Sequence, residues 1–136
     1  MSGLAEVLGI TETITPMGLV TRIEHGLPIS AFDRVTHTVA PGDLAFRQRL
    51  IPKATLTRRR KTRRLSPSES ELVARLAKVW DQALAVYRDP DTARRFLTQP
   101  HMLLDHRSPL DVAAATAAGS DLVIELLGRI QYGGAV

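Results

Sequence analysis

Chemistry in this chain must come from a short roster of side chains. There is no cysteine, which removes thiolate nucleophiles, thiolate metal sites and disulfides together. His25, His37, His101 and His106 have no ligand spacing; the last two lie in an expected loop, where chelation across a helical turn does not apply. Asp105-His106 has the make-up of a base and its orienting carboxylate, but no serine or threonine nucleophile is tied to it by a known spacing. The glycines are isolated helix stops apart from Gly133-Gly134, so no phosphate-cradling loop is visible. With no paired carboxylates on a helix face either, the expectation is a protein that is not an enzyme and needs no metal or cofactor.

What remains is positive charge, and it is concentrated. Residues 1–57 carry five basic and five acidic side chains, residues 58–64 (RRRKTRR) six basic and none acidic, and residues 65–136 seven basic and nine acidic. The net charge of +4 therefore belongs to one block. A run this dense repels itself unless a polyanion neutralises it, which makes nucleic acid the first candidate partner; a solvated linker or surface face is the alternative. Lys53, Thr55, Thr57, Arg58, Arg59, Arg60, Lys61, Arg63 and Arg64 form the donor cluster. Hydroxyls can position phosphates, while arginine can pair bidentately with guanine in the major groove. Which arginine reads a base stays open, and most of the run is expected on phosphates.

The elements that must carry this cluster are short helices. A chain of 136 residues, 44% apolar, with three Phe, two Tyr and one Trp, makes one compact domain or two small ones around aliphatic cores. No apolar run approaches the roughly 20 residues of a membrane helix, and the first residues lack a signal peptide's basic start and cleavage site. A soluble cytoplasmic protein with no membrane partner is expected. Thr15-Pro16 caps a helix over 17–25 that Gly26 closes. Pro28 opens a second, with Ile29, Phe32, Val35 and Thr36 at helical spacing. Pro41-Gly42-Asp43 breaks it and caps 44–51, whose Leu44, Ala45 and Leu50 can face a core. Pro52 stops that helix, and 53–61 begins at once. Two short helices across a tight break, the second ending in the basic cluster, have the layout of a helix-turn-helix with its recognition helix second.

Ser66-Pro67-Ser68-Glu69 is a capping box. It opens a long helix with one apolar stripe, Leu72, Leu76, Val79, Trp80, Ala83 and Tyr87. Asp89-Pro90 starts a short helix carrying Phe96 and Leu97. Ser108-Pro109-Leu110-Asp111 starts an alanine-rich helix, 109–118, that Gly119 stops. The last helix, 121–132, turns Leu122, Val123, Leu126, Leu127 and Ile130 inward. No alternating run longer than THTVA suggests a strand, so the fold class is all-α.

Three segments read together resemble a known family. They are GLVTRIEHGLPISAFDRV, IPKATLTRRRKTRRLSPSESELVARLAKVW and HRSPLDVAAATAAGSDLVIELLGRIQYG. The telling pieces are Thr55-Leu56-Thr57-Arg58-Arg59 before Leu65-Ser66-Pro67, and Ser108-Pro109-Leu110-Asp111 running through Gly119 to Leu127-Gly128-Arg129-Ile130-Gln131-Tyr132-Gly133. Over residues 16–134 the chain resembles antitoxins of the Xre/MbcA/ParS family, partners of RES-domain toxins. It departs in having Phe96-Leu97 for the family's usual tryptophan-leucine, Asp105-His106 where a glycine usually stands, and Pro52 with no glycine in the turn.

The resemblance implies a helix-turn-helix-like domain at 1–64 for homodimer formation and operator binding, and a C-terminal toxin-binding domain at 65–136. It implies a toxin that consumes NAD or uses it to modify a target. The antitoxin would cover that toxin's active-site entrance, and the complex would repress its own promoter, as in type II systems. Toxin contacts are expected from Arg107, Ser108, Pro109 and Leu110 and from Ile130, Gln131, Tyr132 and Gly133, at two loop–helix junctions. Ile130 and Tyr132 could instead complete the chain's own core. A stand-alone helix-turn-helix repressor without a toxin, and a small enzyme or ligand sensor, are the other readings the residues leave open.

Overall fold

The computed structural model describes residues 3–133. They form α1 (Gly3–Leu8), α2 (Pro16–His25), α3 (Ile29–Val39), α4 (Leu44–Leu50), α5 (Lys53–Thr62), α6 (Pro67–Tyr87), α7 (Pro90–Thr98), a 3-10 turn (Met102–Leu104), α8 (Pro109–Ala115) and α9 (Ala117–Gln131). The described residues contain no strand, only two isolated bridges, Pro28 with Arg64 and His101 with Arg107. The fold is all-α, as its punctuation indicates. No described helix is long and apolar enough to cross a membrane. The described residues up to Ala74 form one compact unit and those from Arg75 a second, the division falling inside α6.

In the N-terminal unit the expected caps are made. Thr15 Oγ1 accepts the Gly18 N–H at 2.9 Å, and Asp43 Oδ1 accepts that of Phe46 at 3.0 Å. Phe32, Val35, Val39, Phe46, Ile51 and Leu65 fill the core. On α4 the inward residue is Phe46, while Leu44 is 66% exposed, contrary to the sequence reading. Positions two apart on a helix face about 200° apart, so seating the larger ring turns Leu44 outward. The short α1, marked in the sequence only by Leu4 and Leu8 one turn apart, packs on α3 and buries Ala5 and Leu8.

A seam ties the α2–α3 turn to the end of α5. The Leu65 N–H donates to Leu27 C=O at 2.9 Å and the Ile29 N–H to Arg63 C=O at 3.2 Å, while Ser70 Oγ accepts the Leu27 N–H at 2.7 Å. Gly26 sits at φ +91°, where a Cβ would lie 2.3 Å from the Leu65 carbonyl oxygen. Only glycine lets the two segments approach this closely.

In the C-terminal unit α8 and α9 pack on each other. Leu76, Val79, Trp80, Leu97, Leu110, Val123, Leu126 and Leu127 are buried. Arg75 Nε and Nη2 donate to Ala113 C=O and Ala114 C=O at 2.9 and 2.8 Å, satisfying carbonyls at the end of α8. That helix stops at Ala115, not at Gly119: Thr116 is extended, and its Oγ1 accepts the Gly119 N–H at 2.8 Å to start α9. Gly119 is thus inside a helix, present because a Cβ there would meet Val112 O at 2.1 Å. Leu122 is 46% exposed, because Val123, Leu126 and Leu127 occupy the inward face.

Candidate nucleic-acid interface and partner surface

No residue of α5 is buried, so apolar packing does not fix this helix. Its start follows from Ile51 and Pro52, both extended (φ −136°, ψ 115° and φ −57°, ψ 148°). A proline favours that conformation in the residue before it, and the turn therefore requires no glycine. The rest of the helix is held by ion pairs. Arg59 Nε donates to Glu69 Oε1 at 2.8 Å and its Nη2 to Oε2 at 3.3 Å. The same Glu69 completes the capping box, accepting the Ser66 N–H at 2.8 Å while its own N–H donates to Ser66 Oγ at 3.1 Å. Arg60 donates twice to Asp33, each at 3.1 Å. Arg47 donates to Asp33 Oδ1 at 2.9 Å and to Thr36 Oγ1 at 2.7 Å. Arg64 Nη1 reaches Gly26 C=O at 2.8 Å.

The two carboxylates are electrostatically committed. Burial pushes the Asp33 carboxyl up, but hydrogen bonds from Arg60 and Arg47 outweigh it and hold Asp33 below its ordinary value. Glu69 behaves alike: burial raises it, and Arg59 with the Ser66 cap brings it below the usual range.

The basic block therefore divides. Arg59, Arg60 and Arg64 engage the chain's own acceptors. Among the described residues, Lys53, Arg58, Lys61 and Arg63 have no ion-pair partner. Thr55 is half-buried. Thr57 is exposed and its hydroxyl donates to Lys53 C=O at 3.0 Å.

In the second unit, the expected partner residues open α8 and close α9. Arg107 is exposed, and its carbonyl accepts the His101 N–H at 3.0 Å, closing the intervening loop. Within that loop Asp105 (φ 54°) and His106 (φ 62°) are both left-handed. The loop thus takes a glycine-like backbone without glycine. Ser108 Oγ caps α8 by accepting the Asp111 N–H at 3.1 Å. Pro109 and Leu110 are buried, so they place the junction without being available as contacts. Ile130 is half-buried; Gln131 accepts from Gln82 Nε2 at 3.2 Å and is exposed. Tyr132 is 85% exposed and takes no part in the chain's own core. Gly133 is exposed at φ +83°, and Gly134 lies outside the described residues.

Two exposed residues escaped the sequence reading: Met102 and Leu103, on the 3-10 turn. Three consecutive apolar residues in a loop were the available signal. Phe96 lies with its ring centroid 5.5 Å from Tyr87 and 5.9 Å from His101, so an aromatic stands at the tryptophan position. No three His, Asp or Glu side chains among the described residues gather as a metal site.

A helix-turn-helix unit followed by a small helical unit with an exposed apolar tail is the domain order of helix-turn-helix antitoxins. Comparison with known domains agrees: the antitoxin Xre-like helix-turn-helix domain matches residues 18–78, and the antitoxin Xre/MbcA/ParS C-terminal toxin-binding domain matches residues 82–133. A protein named Antitoxin Xre from Yersinia enterocolitica is 35% identical over 119 residues, covering 85% of this chain and 79% of its own. The chain belongs to the Xre/MbcA/ParS family of antitoxins.

Proposed function

We propose that this chain is the antitoxin of a type II system whose toxin carries a RES domain and consumes NAD or ADP-ribosylates a target. The α8–α9 tail lies across the toxin's active-site entrance; the chain itself performs no reaction and needs no cofactor. The observation that carries this reading is the exposure of Tyr132 at the end of α9, an aromatic with no role in the chain's own core. Such a residue supplies contact area at low entropic cost. Arg107, Gln131 and Gly133 are exposed at the two junctions, and Met102 and Leu103 are further exposed apolar residues of the same unit.

The N-terminal unit binds the operator of its own operon through α5 and dimerises, so that two copies of α5 meet successive major grooves. Met17 and Val20, one turn apart on α2, and Leu44 leave apolar side chains exposed on this unit, which supports a second copy as their cover. Both activities place the protein in the cytoplasm. The test is co-expression with the product of the neighbouring reading frame: a RES-domain toxin should co-purify and its toxicity disappear. A chain that binds its promoter but captures no neighbour would be a repressor alone, and the toxin assignment would fail.

A further inference from the structure

We propose that Arg58 is the one arginine of the basic block that reads a base, and that Arg59, Arg60 and Arg64 are positioning residues that hold α5 and do not reach DNA; this rests on the DNA-binding reading above. The division follows from what each guanidinium touches. At about 100° per residue, Leu56, Arg59 and Arg60 lie on one side of α5. There Leu56 is half-buried, Arg59 is fixed on Glu69 and Arg60 on Asp33. The opposite side is the stripe Ala54, Thr57, Arg58 and Lys61, at the i, i+3, i+4, i+7 spacing of a single helix face. All four residues are exposed, and neither Arg58 nor Lys61 has an ion-pair partner among the described residues.

The chemistry of that stripe is graded. Arg58 presents an unoccupied planar fork of donors, the geometry that matches O6 and N7 of guanine. Lys61, one turn on, is a point charge suited to phosphate. Ala54 and Thr57 are small, so the backbone of α5 can approach the groove closely. The Thr57 hydroxyl is engaged with Lys53 C=O, which leaves its methyl and that of Ala54 as the apolar groups able to meet a thymine methyl. The favoured half-site therefore carries a guanine close to a thymine. Arg59 and Arg60 cannot serve this way without abandoning Glu69 and Asp33, the two pairs that together hold the helix; with one of them left in place, Arg58 is still presented.

The experiment is fluorescence anisotropy of the full chain on a duplex from upstream of its own gene and on a scrambled duplex of equal length, over a salt series. Arg58→Ala should weaken promoter binding roughly ten- to a hundredfold, with much less effect on the scrambled duplex. Arg58→Lys should keep scrambled-duplex binding and still lose most of the discrimination. Lys61→Ala should weaken both duplexes alike and flatten the log-affinity against log-salt slope by about 0.9. Arg60→Ala, at a temperature where the variant is folded, should keep the promoter-to-scrambled ratio within about twofold while lowering Tm. If wild type discriminates and Arg58→Lys or Arg58→Ala discriminates equally well, or if Arg60→Ala collapses the ratio with the fold intact, the assignment is overturned. If wild type itself shows no preference, the operator-binding reading fails, and this inference with it.

Discussion

Gly119 and Gly128 lie in the same helix and should respond to alanine with opposite signs. In an open helix interior, glycine to alanine stabilises by up to about 1 kcal/mol. At Gly128 nothing stands within 4 Å of the added carbon, so Gly128→Ala should realise most of that gain. At Gly119 the added Cβ would fall 2.1 Å from Val112 O and 3.1 Å from Val112 Cγ1. An ordinary carbon–oxygen approach is about 3.3 Å, so the backbones of α8 and α9 would have to separate by about 1 Å. Arg75 resists this, since it holds two carbonyls at the end of α8, and hydrogen bonds from a charged donor are worth about 1.5–3 kcal/mol each. Overpacking ordinarily costs about 1–3 kcal/mol; adding about 1.5–3 kcal/mol for one Arg75 bond lost and subtracting the propensity gain of up to about 1 kcal/mol, Gly119→Ala should lose about 2–5 kcal/mol. For a unit of this size that lowers Tm by about 10 °C or more, against a rise of a few degrees for Gly128→Ala. Urea and thermal unfolding by circular dichroism, with hydrogen exchange of the α8 and α9 amides to localise the loss, measure both. A Gly119→Ala protein as stable as wild type would refute the close-approach argument.

Asp33 and Glu69 have folded-state pKa values below their ordinary ones, so the stability they contribute is complete above the unfolded carboxylate range and is lost as pH falls through the folded values. Urea midpoints from pH 7 to 3 should therefore fall less steeply in Asp33→Asn and Glu69→Gln than in wild type, from a lower starting point; parallel curves would remove these two groups from the acid response. His106→Gly should stabilise by up to about 1 kcal/mol, because it relieves a left-handed residue costing about 1–2 kcal/mol against about 0.5–1 kcal/mol of added chain entropy; a lower Tm would show that the His106 side chain is needed. Tyr132→Ala should leave Tm unchanged and weaken toxin binding by more than tenfold in calorimetry; undiminished affinity would remove Tyr132 from the interface.

What was legible in the sequence was local. The caps at Thr15, Asp43, Ser66 and Ser108 involve partners three residues away, and each forms as its residue types dictate. Gly119 reads as a helix stop because its partner, Val112, lies on the preceding helix; the sequence shows a glycine near a helix end but not the carbonyl pressed against it. Leu44 reads as inward because the sequence does not show that burying Phe46 two positions later sets the rotation of so short a helix. The basic block shows the same limit most sharply. Its density is visible at once, yet what separates Arg60 from Arg58 is a carboxylate 27 residues away, and for Arg59 one 10 residues away. Neither spacing is a pattern that a helix or turn imposes.

That arrangement also bears on how strongly the block can bind a polyanion. Six cations stand in 58–64, but Asp33 and Glu69 lie against two of them and cancel part of their field at contact distance. Surface ion pairs contribute little stability singly, about 0–1 kcal/mol, and these are only partly buried. Here they act together on a helix that has no buried residue, with the Leu27–Leu65 seam anchoring its far end. The acids are therefore the means by which a helix too polar to pack is held with one face outward. The cost is a smaller number of cations free for phosphate, and the gain is that the remaining ones occupy a fixed face. Specific readout needs that fixed geometry, whereas nonspecific affinity needs only charge. A chain selected simply for attraction to nucleic acid would have no use for two carboxylates against its densest basic run.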